Sequence, residues 1–242
     1  DSVVIAAGAS ADATSGDDVV LVADSGATTV AQGEWSYLTP GVVSAVSPEE
    51  GTVGTVVSIS GERLFGGGDG IDTVLLAGVA AESVANGASN TLVTVAAGAS
   101  AASTGDVEVV SDSGSVVTLT DGWNYVAPGV IESASPGFGQ YGTVVHITGS
   151  KLFADGTSLV SVTLAGTEVA SIVDGANSTV VAVVADHAEA GSGSVALISD
   201  TGGRVSQDDA WEYRTRGEIL AVVPEEGHEG SEVSLYGTSL FG

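Results

Sequence analysis

Residues 51–65 read GTVGTVVSISGERLF, and this stretch decides the fold because the chain contains it three times. Residues 139–153 read GQYGTVVHITGSKLF, and residues 227–241 read GHEGSEVSLYGTSLF. Each copy begins 88 residues after the one before it, since 139 − 51 and 227 − 139 are both 88. A fixed period of this kind indicates an array of structural repeats.

The rest of the chain keeps the same period. Residues 41–128 and 129–216, laid over one another without gaps, are identical at about 35 of 88 positions. We therefore predict two complete repeats, 41–128 and 129–216. They are preceded by the C-terminal part of a repeat, 1–40, and followed by the N-terminal part of a further one, 217–242. This division predicts that the chain is a window of a longer polymer of repeats.

Within a repeat, short apolar runs alternate with turn residues. Val57 and Ile59 flank Ser58, and Val107 and Val109 flank Glu108, so each valine or isoleucine pair is expected on the core face of a strand. The turn triplets, residues 112–114 and 200–202, suit a β-hairpin. About seven short strands in fewer than 90 residues predict an antiparallel β-sandwich. No segment shows a sustained helical period.

The order of these motifs carries a family resemblance. The run S-P-x-x-G-x-x-G-T-V-V-x-I-x-G-x-x-L-F is followed by V-x-L-A-G, a valine-rich strand and a closing W-x-Y. It resembles the IPT/TIG domain, and the resemblance covers both complete repeats and both fragments. It implies an all-β fold of tandem immunoglobulin-like, E-set-type sandwiches in a linear array.

Known IPT/TIG members lie in cell-surface receptors, bacterial surface adhesins, transcription factors and polysaccharide-acting enzymes, so the resemblance fixes fold better than function. This chain departs from two of those groups. Its Cys count is 0, whereas receptor members often carry cysteines. Lys+Arg number 5 against 31 Asp+Glu, a formal net charge of -26, which excludes nucleic acid as a partner because phosphates require basic residues.

The acidic residues have two interpretations. The first is a solvated surface that keeps a polymer soluble and its neighbours apart. The second is calcium binding in loops, with Asp69, Asp72, Asp208 and Asp209 as the candidate ligands. Against calcium, Asp69 aligns with Thr157 and Asp72 with Val160, although a liganding loop is expected in every repeat. We therefore predict no cofactor, with calcium as the alternative.

The sequence offers little for catalysis. The three histidines, His146, His187 and His228, fall at unrelated repeat positions, so neither a triad nor a metal site is expected from them. The pair Glu49-Glu50 is replaced by Gly137 and Phe138 in the next repeat, which argues against acid/base work there. We predict that the chain is not an enzyme.

Aromatic residues recur at two repeat positions. The phenylalanines of Gly-x-x-Leu-Phe and the tryptophans of W-x-Y are expected to be structural anchors buried in the sandwich or at its joints. The alternative is that the tryptophans stack on sugar rings. The anchors are Phe65, Phe153, Phe241, Trp35, Trp123 and Trp211.

An extracellular or cell-surface location is expected from the class of long acidic sandwich arrays. Asn177-Ser178-Thr179 is an N-glycosylation sequon, predicted in a loop before a strand. No run of about 18 apolar residues is present, so no membrane span is expected in this segment.

Three functions remain open from the sequence. The first is a structural segment of an extracellular fibre, appendage or surface stalk, whose partners are neighbouring repeats and other copies of itself. The second is an adhesin or carbohydrate-binding array that acts by avidity, and the third is a spacer in a larger surface enzyme. Short linkers, VAPG at 126–129 and RTRG at 214–217, predict a semi-rigid extended array.

Overall fold

The computed structural model describes most of the chain, and its secondary structure is β throughout. The described residues are 2–8, 10, 12–86, 91–95, 101–177, 179–186 and 189–240. Within them the chain forms strands and turns and no helix, and the strands form sandwiches. The predicted all-β fold class is therefore confirmed.

The chain divides into two compact units, one built mainly from residues up to Tyr125 and the other mainly from Val126 onward. The first unit opens with a hairpin of β1 (Asp17–Val22) and β2 (Thr28–Trp35), which pair antiparallel as an isolated two-stranded sheet. This hairpin belongs to the segment predicted as the C-terminal part of a repeat.

The described residues of the first complete repeat contribute nine strands to two sheets. One sheet has the order β3-β5-β9-β8, and the other has the order β4-β11-β10-β6-β7. The strands are β3 (Val42–Ser47), β4 (Glu50–Gly51), β5 (Val56–Glu62), β6 (Ile71–Leu76), β7 (Val79–Ala80), β8 (Ser83–Asn86), β9 (Thr91–Val95), β10 (Ser103–Ser111) and β11 (Val116–Tyr125).

The second complete repeat has the same two sheet orders, β12-β14-β18-β17 and β13-β20-β19-β15-β16. Its strands are β12 (Val130–Ser135), β13 (Phe138–Gly139), β14 (Val144–Ser150), β15 (Leu159–Leu164), β16 (Thr167–Glu168), β17 (Ser171–Asn177), β18 (Val180–Val184), β19 (Gly191–Ser199) and β20 (Arg204–Tyr213). An antiparallel hairpin of β21 (Glu218–Val223) and β22 (Ser234–Thr238) follows it. The equal order of strands is what the 88-residue period requires.

The core of the first repeat lies between its two sheets. Val57, Ile59, Val107 and Val109 are each 0% exposed, which confirms the predicted register of β5 and β10. Glu108, between two of them, is not buried. Removing each such side chain from water stabilises the fold by about 1.5–3 kcal/mol.

The turn between β10 and β11 is the hairpin that the sequence predicts. Gly114 has φ +80°, a left-handed conformation that suits glycine, and its N–H donates to the Ser111 carbonyl at 2.9 Å. The strand that follows, β11, extends from Val116 to Tyr125. It does so through a β-bulge, where the pairing shifts between Gly105↔Trp123 and Val107↔Leu119.

Candidate functional site

The recurring Trp-x-Tyr motif forms a closed aromatic pair in each complete repeat. Trp123 and Tyr125 are both 1% exposed, and their rings meet edge to face with centroids 5.6 Å apart. Trp211 is also 1% exposed and meets the Tyr213 ring at 5.5 Å. Such rings contribute apolar area and pair geometry to the core. Neither indole of the complete repeats offers a flat face to a sugar.

The third copy of the motif has the same internal geometry in a different environment. Trp35 and Tyr37 pair edge to face at 5.8 Å, but Trp35 is 42% exposed. It lies on the two-stranded β1–β2 sheet, and among the described residues of 1–40 no second sheet faces it. The edge-to-face pairing is thus the same in all three copies of the motif, whereas the burial of the tryptophan differs between them.

The polar tips of the buried aromatics are unusual. The indole Nε1 atoms of Trp123 and Trp211 and the Tyr125 hydroxyl are buried and have no hydrogen-bond partner among the described residues. Burial, together with the nearby Glu82 carboxylate, raises the pKa of Tyr125 to about 12. This phenol therefore stays neutral at physiological pH and is unsuited to acid/base chemistry.

The phenylalanine anchors occupy less closed positions than the leucines before them. Leu64 and Leu152 are each 1% exposed, Phe153 is 7% exposed, and Phe65 is partly buried. Phe241 lies outside the described residues. The Gly-x-x-Leu-Phe motif thus places its leucine in the core and its phenylalanine at the border of the core.

The loop that holds the calcium candidates Asp69 and Asp72 is bonded to a hairpin turn. The Asp69 backbone N–H donates to Asp112 Oδ1 at 3.0 Å. In the second repeat, Asp200 accepts from the Thr157 backbone N–H at 3.0 Å and from the Thr157 hydroxyl at 2.5 Å. These hydrogen bonds lower the pKa of Asp200 below its ordinary value. In both repeats the turn aspartate, Asp112 or Asp200, therefore holds the neighbouring loop in place by hydrogen bonds.

The other two calcium candidates, Asp208 and Asp209, lie exposed on β20, and Asp209 has φ +50° like its counterpart Asp121. Over the residues that the structure describes, no group of three or more His, Cys, Asp or Glu side chains is arranged to hold a metal ion. The calcium hypothesis remains a prediction.

The remaining sequence candidates lie apart. His146 is exposed on β14, His228 is exposed between β21 and β22, and His187 is outside the described residues. Asn177 is the last residue of β17 and pairs with Val180 at the start of β18, and Ser178 of the sequon lies outside the described residues. Nothing gathers these residues into one site.

A groove lies at the edge of the first sandwich, and the sequence analysis did not predict it. We name it the edge groove. It is lined by residues 44–47, 49–50 and 119–124 and has a cavity volume of about 880 Å³. The lining includes the carboxylates of Glu49, Glu50 and Asp121. Asn124 Nδ2 donates to Glu50 Oε2 at 3.0 Å and fixes that carboxylate. The groove has no signal in the sequence because its walls come from distant strands: Asn124 and Glu50, which are hydrogen-bonded, are 74 residues apart.

The geometry first defines the class of protein. The chain consists of two-sheet sandwiches of immunoglobulin type that are repeated in tandem. The model of the IPT/TIG domain family matches residues 42–122 and 130–213. These two matches cover more than half of the chain, so the chain belongs to the IPT/TIG family. The resemblance read from the sequence is thereby confirmed.

Solved structures with a similar fold come from several kinds of protein. The extracellular region of plexin A4 is 20% identical with a TM-score of 0.45, and the match covers 84% of this chain and 18% of that one. SGBP-B of the Bacteroides ovatus mixed-linkage glucan utilization locus, in complex with a mixed-linkage heptasaccharide, is 14% identical with a TM-score of 0.31, covering 85% and 53%. The γ-CGTase of alkalophilic Bacillus clarkii is 15% identical with a TM-score of 0.32, covering 68% and 23%.

The chain therefore spans about half or less of each of these three proteins, and their ligands and activities are properties of those proteins. A sequence search of curated proteins finds no match. Among the described residues, no helix is long and apolar enough to cross a membrane.

Proposed function

We propose that this chain is a non-catalytic structural segment of an extracellular fibre, appendage or surface stalk built from IPT/TIG repeats. The observation that carries the proposal is the burial of the aromatic side chains that recur in both complete repeats. Trp123, Tyr125, Trp211 and Tyr213 are at most 2% exposed, so what the period preserves between the two complete repeats is a core. A repeat whose recurring aromatic residues serve packing is suited to extending a polymer by further copies.

The connections before two of the repeats support this proposal, because a side chain of the following repeat is hydrogen-bonded to the connection before β3 and to the one before β12. Four residues separate Tyr125 from β12, and four separate Tyr213 from β21. Lys151 Nζ donates to the Ala127 carbonyl at 3.2 Å, and its counterpart Arg63 donates through Nε to the Pro40 carbonyl at 3.0 Å. A linker tied to a folded repeat loses much of its freedom to bend.

The negative surface charge supports the proposal because it keeps neighbouring polymers apart and in solution. With a net charge of -26 over 242 residues, neighbouring copies repel one another at low salt, and a long polymer stays soluble. Glycan binding by exposed tryptophans receives less support, because the indoles of both complete repeats are buried. A spacer role within a surface enzyme uses the same mechanical properties.

Immunogold electron microscopy of the source cells tests the proposal. An antibody raised against the 242-residue chain should label fibres or stalks outside intact cells. Labelling only after permeabilisation would contradict it.

Small-angle X-ray scattering of the purified chain adds an independent test. A compact globule of this length has a radius of gyration of about 18 Å, and the proposal requires a clearly larger value. A value near that of the globule would refute the extended array.

A further inference from the structure

In the second repeat, a strand by which the chain enters is hydrogen-bonded to the strand by which it leaves. The chain enters through β12 and β13 and leaves through β20, and β13 pairs with β20 in parallel. The Glu212 N–H donates to the Gly137 carbonyl at 3.0 Å, and the Arg214 N–H donates to the Gly139 carbonyl at 2.7 Å. We name this pairing the terminal clamp of the second repeat.

The first repeat has the same terminal clamp. The Asn124 N–H donates to the Glu49 carbonyl at 3.0 Å, and the Val126 N–H donates to the Gly51 carbonyl at 3.0 Å. Each of these residues lies 88 positions before its counterpart in the second repeat. Val126 and its counterpart Arg214 have unlike side chains, yet the backbone bond is the same. The clamp therefore belongs to the fold of the repeat and is independent of these side chains.

A pull on the two ends of a repeat loads its terminal clamp in shear. β13 and β20 run in the same direction, so tension draws β13 back towards its N-terminus and β20 forward towards its C-terminus. The strands then have to slide past each other, and sliding strains all of their hydrogen bonds at the same time. Two strands that are peeled apart from one end lose their hydrogen bonds one after another, against a lower barrier. The parallel arrangement therefore resists tension.

The recurring motif G-x-x-G-T/S ends the clamp strand in a turn that its own side chain closes. In all three copies the hydroxyl of the fifth residue accepts a hydrogen bond from the backbone N–H of the second. These bonds join Thr55 to Thr52 at 3.0 Å, Thr143 to Gln140 at 3.1 Å and Ser231 to His228 at 2.9 Å. A Cβ on Gly139, the first residue of the second copy, would collide with the Thr143 hydroxyl, so the turn requires glycine there. The closed turn holds the end of the clamp strand in place.

We infer that each complete repeat is a load-bearing module whose terminal clamp sets its resistance to tension along the chain. The core sets how stable the repeat is at equilibrium, whereas the clamp sets how fast it unfolds under force, because forced unfolding depends on the height of the barrier. The inference rests on the proposed function, since a fibre or stalk transmits force through its repeats. It goes further by assigning the resistance to named backbone hydrogen bonds.

Constant-force optical tweezers on the 242-residue chain, held by handles at its two ends, test the inference. The complete repeats should lengthen the chain in two abrupt steps of up to about 30 nm each, the extended length of residues 42–125 or 130–213. Gradual lengthening without such steps would overturn the inference. That failure would leave the immunogold test of a surface fibre unaffected, and labelling only inside cells would remove the fibre without changing the steps.

Proline substitutions remove one clamp hydrogen bond from each repeat. Val126→Pro combined with Arg214→Pro deletes the N–H groups that donate to Gly51 and Gly139. Both repeats should then unfold about three- to tenfold faster at the same force, as expected for the loss of one hydrogen bond. The matched control, Val126→Ala with Arg214→Ala, keeps both N–H groups and removes the guanidinium that lies 3.4 Å from the centroid of the Phe138 ring. Equal unfolding rates for the proline and alanine variants would overturn the inference.

A milder variant covers the case in which the prolines prevent folding. Thr143→Val keeps the shape of the side chain and removes the hydroxyl that accepts from the Gln140 N–H. The end of β13 is then less firmly held, so the second repeat should unfold faster under force. Thr163→Val makes the same change on β15, outside the clamp, and should leave the rate unchanged. An unchanged rate for Thr143→Val would contradict the role of the turn.

A core variant separates resistance to force from equilibrium stability. Leu197 is 0% exposed on β19 and lies outside the clamp, so its packing is still in place when β13 and β20 begin to slide. Leu197→Ala should therefore lower the denaturant midpoint of the second repeat more than Arg214→Pro does, and accelerate its unfolding under force less. Denaturant titration and the constant-force record supply the two values. If Leu197→Ala accelerates forced unfolding as much as Arg214→Pro does, the core and not the clamp bears the load.

Discussion

At the scale of single residues, the turn aspartate Asp200 holds a neighbouring loop through hydrogen bonds. Asp200 accepts hydrogen bonds from the backbone and hydroxyl of Thr157 and from the Ser158 hydroxyl, and these bonds hold its pKa below the ordinary value of 3.8. A carboxyl whose pKa is lower in the folded state stabilises the fold above its unfolded pKa. That stability is lost as the pH falls through the folded pKa.

We therefore expect Asp200→Asn to lower the melting temperature at neutral pH, with the difference from the unmodified chain shrinking as the pH falls below about 4. Thermal unfolding followed by circular dichroism over a pH series measures this. Asp208→Asn, an exposed neighbour on β20, is the control and should change little. A pH-independent difference would show that the charge of Asp200 is irrelevant.

A second residue-scale prediction concerns the buried indole. Trp123→Ala removes a side chain that is 1% exposed and leaves a cavity, so the free energy of unfolding of its repeat should fall by about 3–5 kcal/mol. Denaturant titration followed by fluorescence or circular dichroism provides the value. Trp35→Ala should have a much smaller effect, because Trp35 is 42% exposed. Similar losses for both would mean that burial does not explain the motif.

At the scale of secondary-structure elements, the glycine of the V-x-I-x-G motif sets how closely two strands approach. A Cβ on Gly149 would lie 2.0 Å from the Val130 carbonyl oxygen, so β12 and β14 could not keep their register. Gly149→Ala should destabilise the second repeat by about 1–3 kcal/mol. Gly191→Ala is the control, since a Cβ there meets nothing within 4 Å. Equal stability of the two variants by denaturant titration would contradict this role.

The elements also show what the sequence could predict. Alternation predicted the register of β5 and β10, and Asp-Ser-Gly predicted the β10–β11 hairpin, because both depend on neighbours in the chain. The two-residue strands β4 and β7 were missed, since strands this short have no periodicity to detect. The edge groove was missed because it exists only where β3 and β11 are brought together by the fold.

The loop of Asp69 and Asp72 allows a further test at this scale. The Asp69 N–H is already bonded to Asp112, and the described residues hold no ligand cluster for a metal. We therefore expect the melting temperature to be the same in excess chelator and in millimolar calcium. A rise with calcium that disappears in Asp69→Asn would instead establish a site in this loop.

At the scale of the whole molecule, the chain repeats one two-sheet sandwich. The same strand order appears in residues 42–125 and 130–213, and each set of strands forms two sheets. In the second repeat the core cluster runs from Ile131 to Tyr213 and draws all of its members from that repeat. Repeat arrays owe their stability to the units and to nearest-neighbour terms, so each complete unit should carry its own fold.

The most direct test is to express residues 41–128 and 129–216 as separate proteins and record their amide spectra and thermal unfolding. The account predicts that each fragment gives the dispersed spectrum of a folded β-protein and unfolds cooperatively. Two fragments that are unfolded alone, while the 242-residue chain is folded, would contradict it.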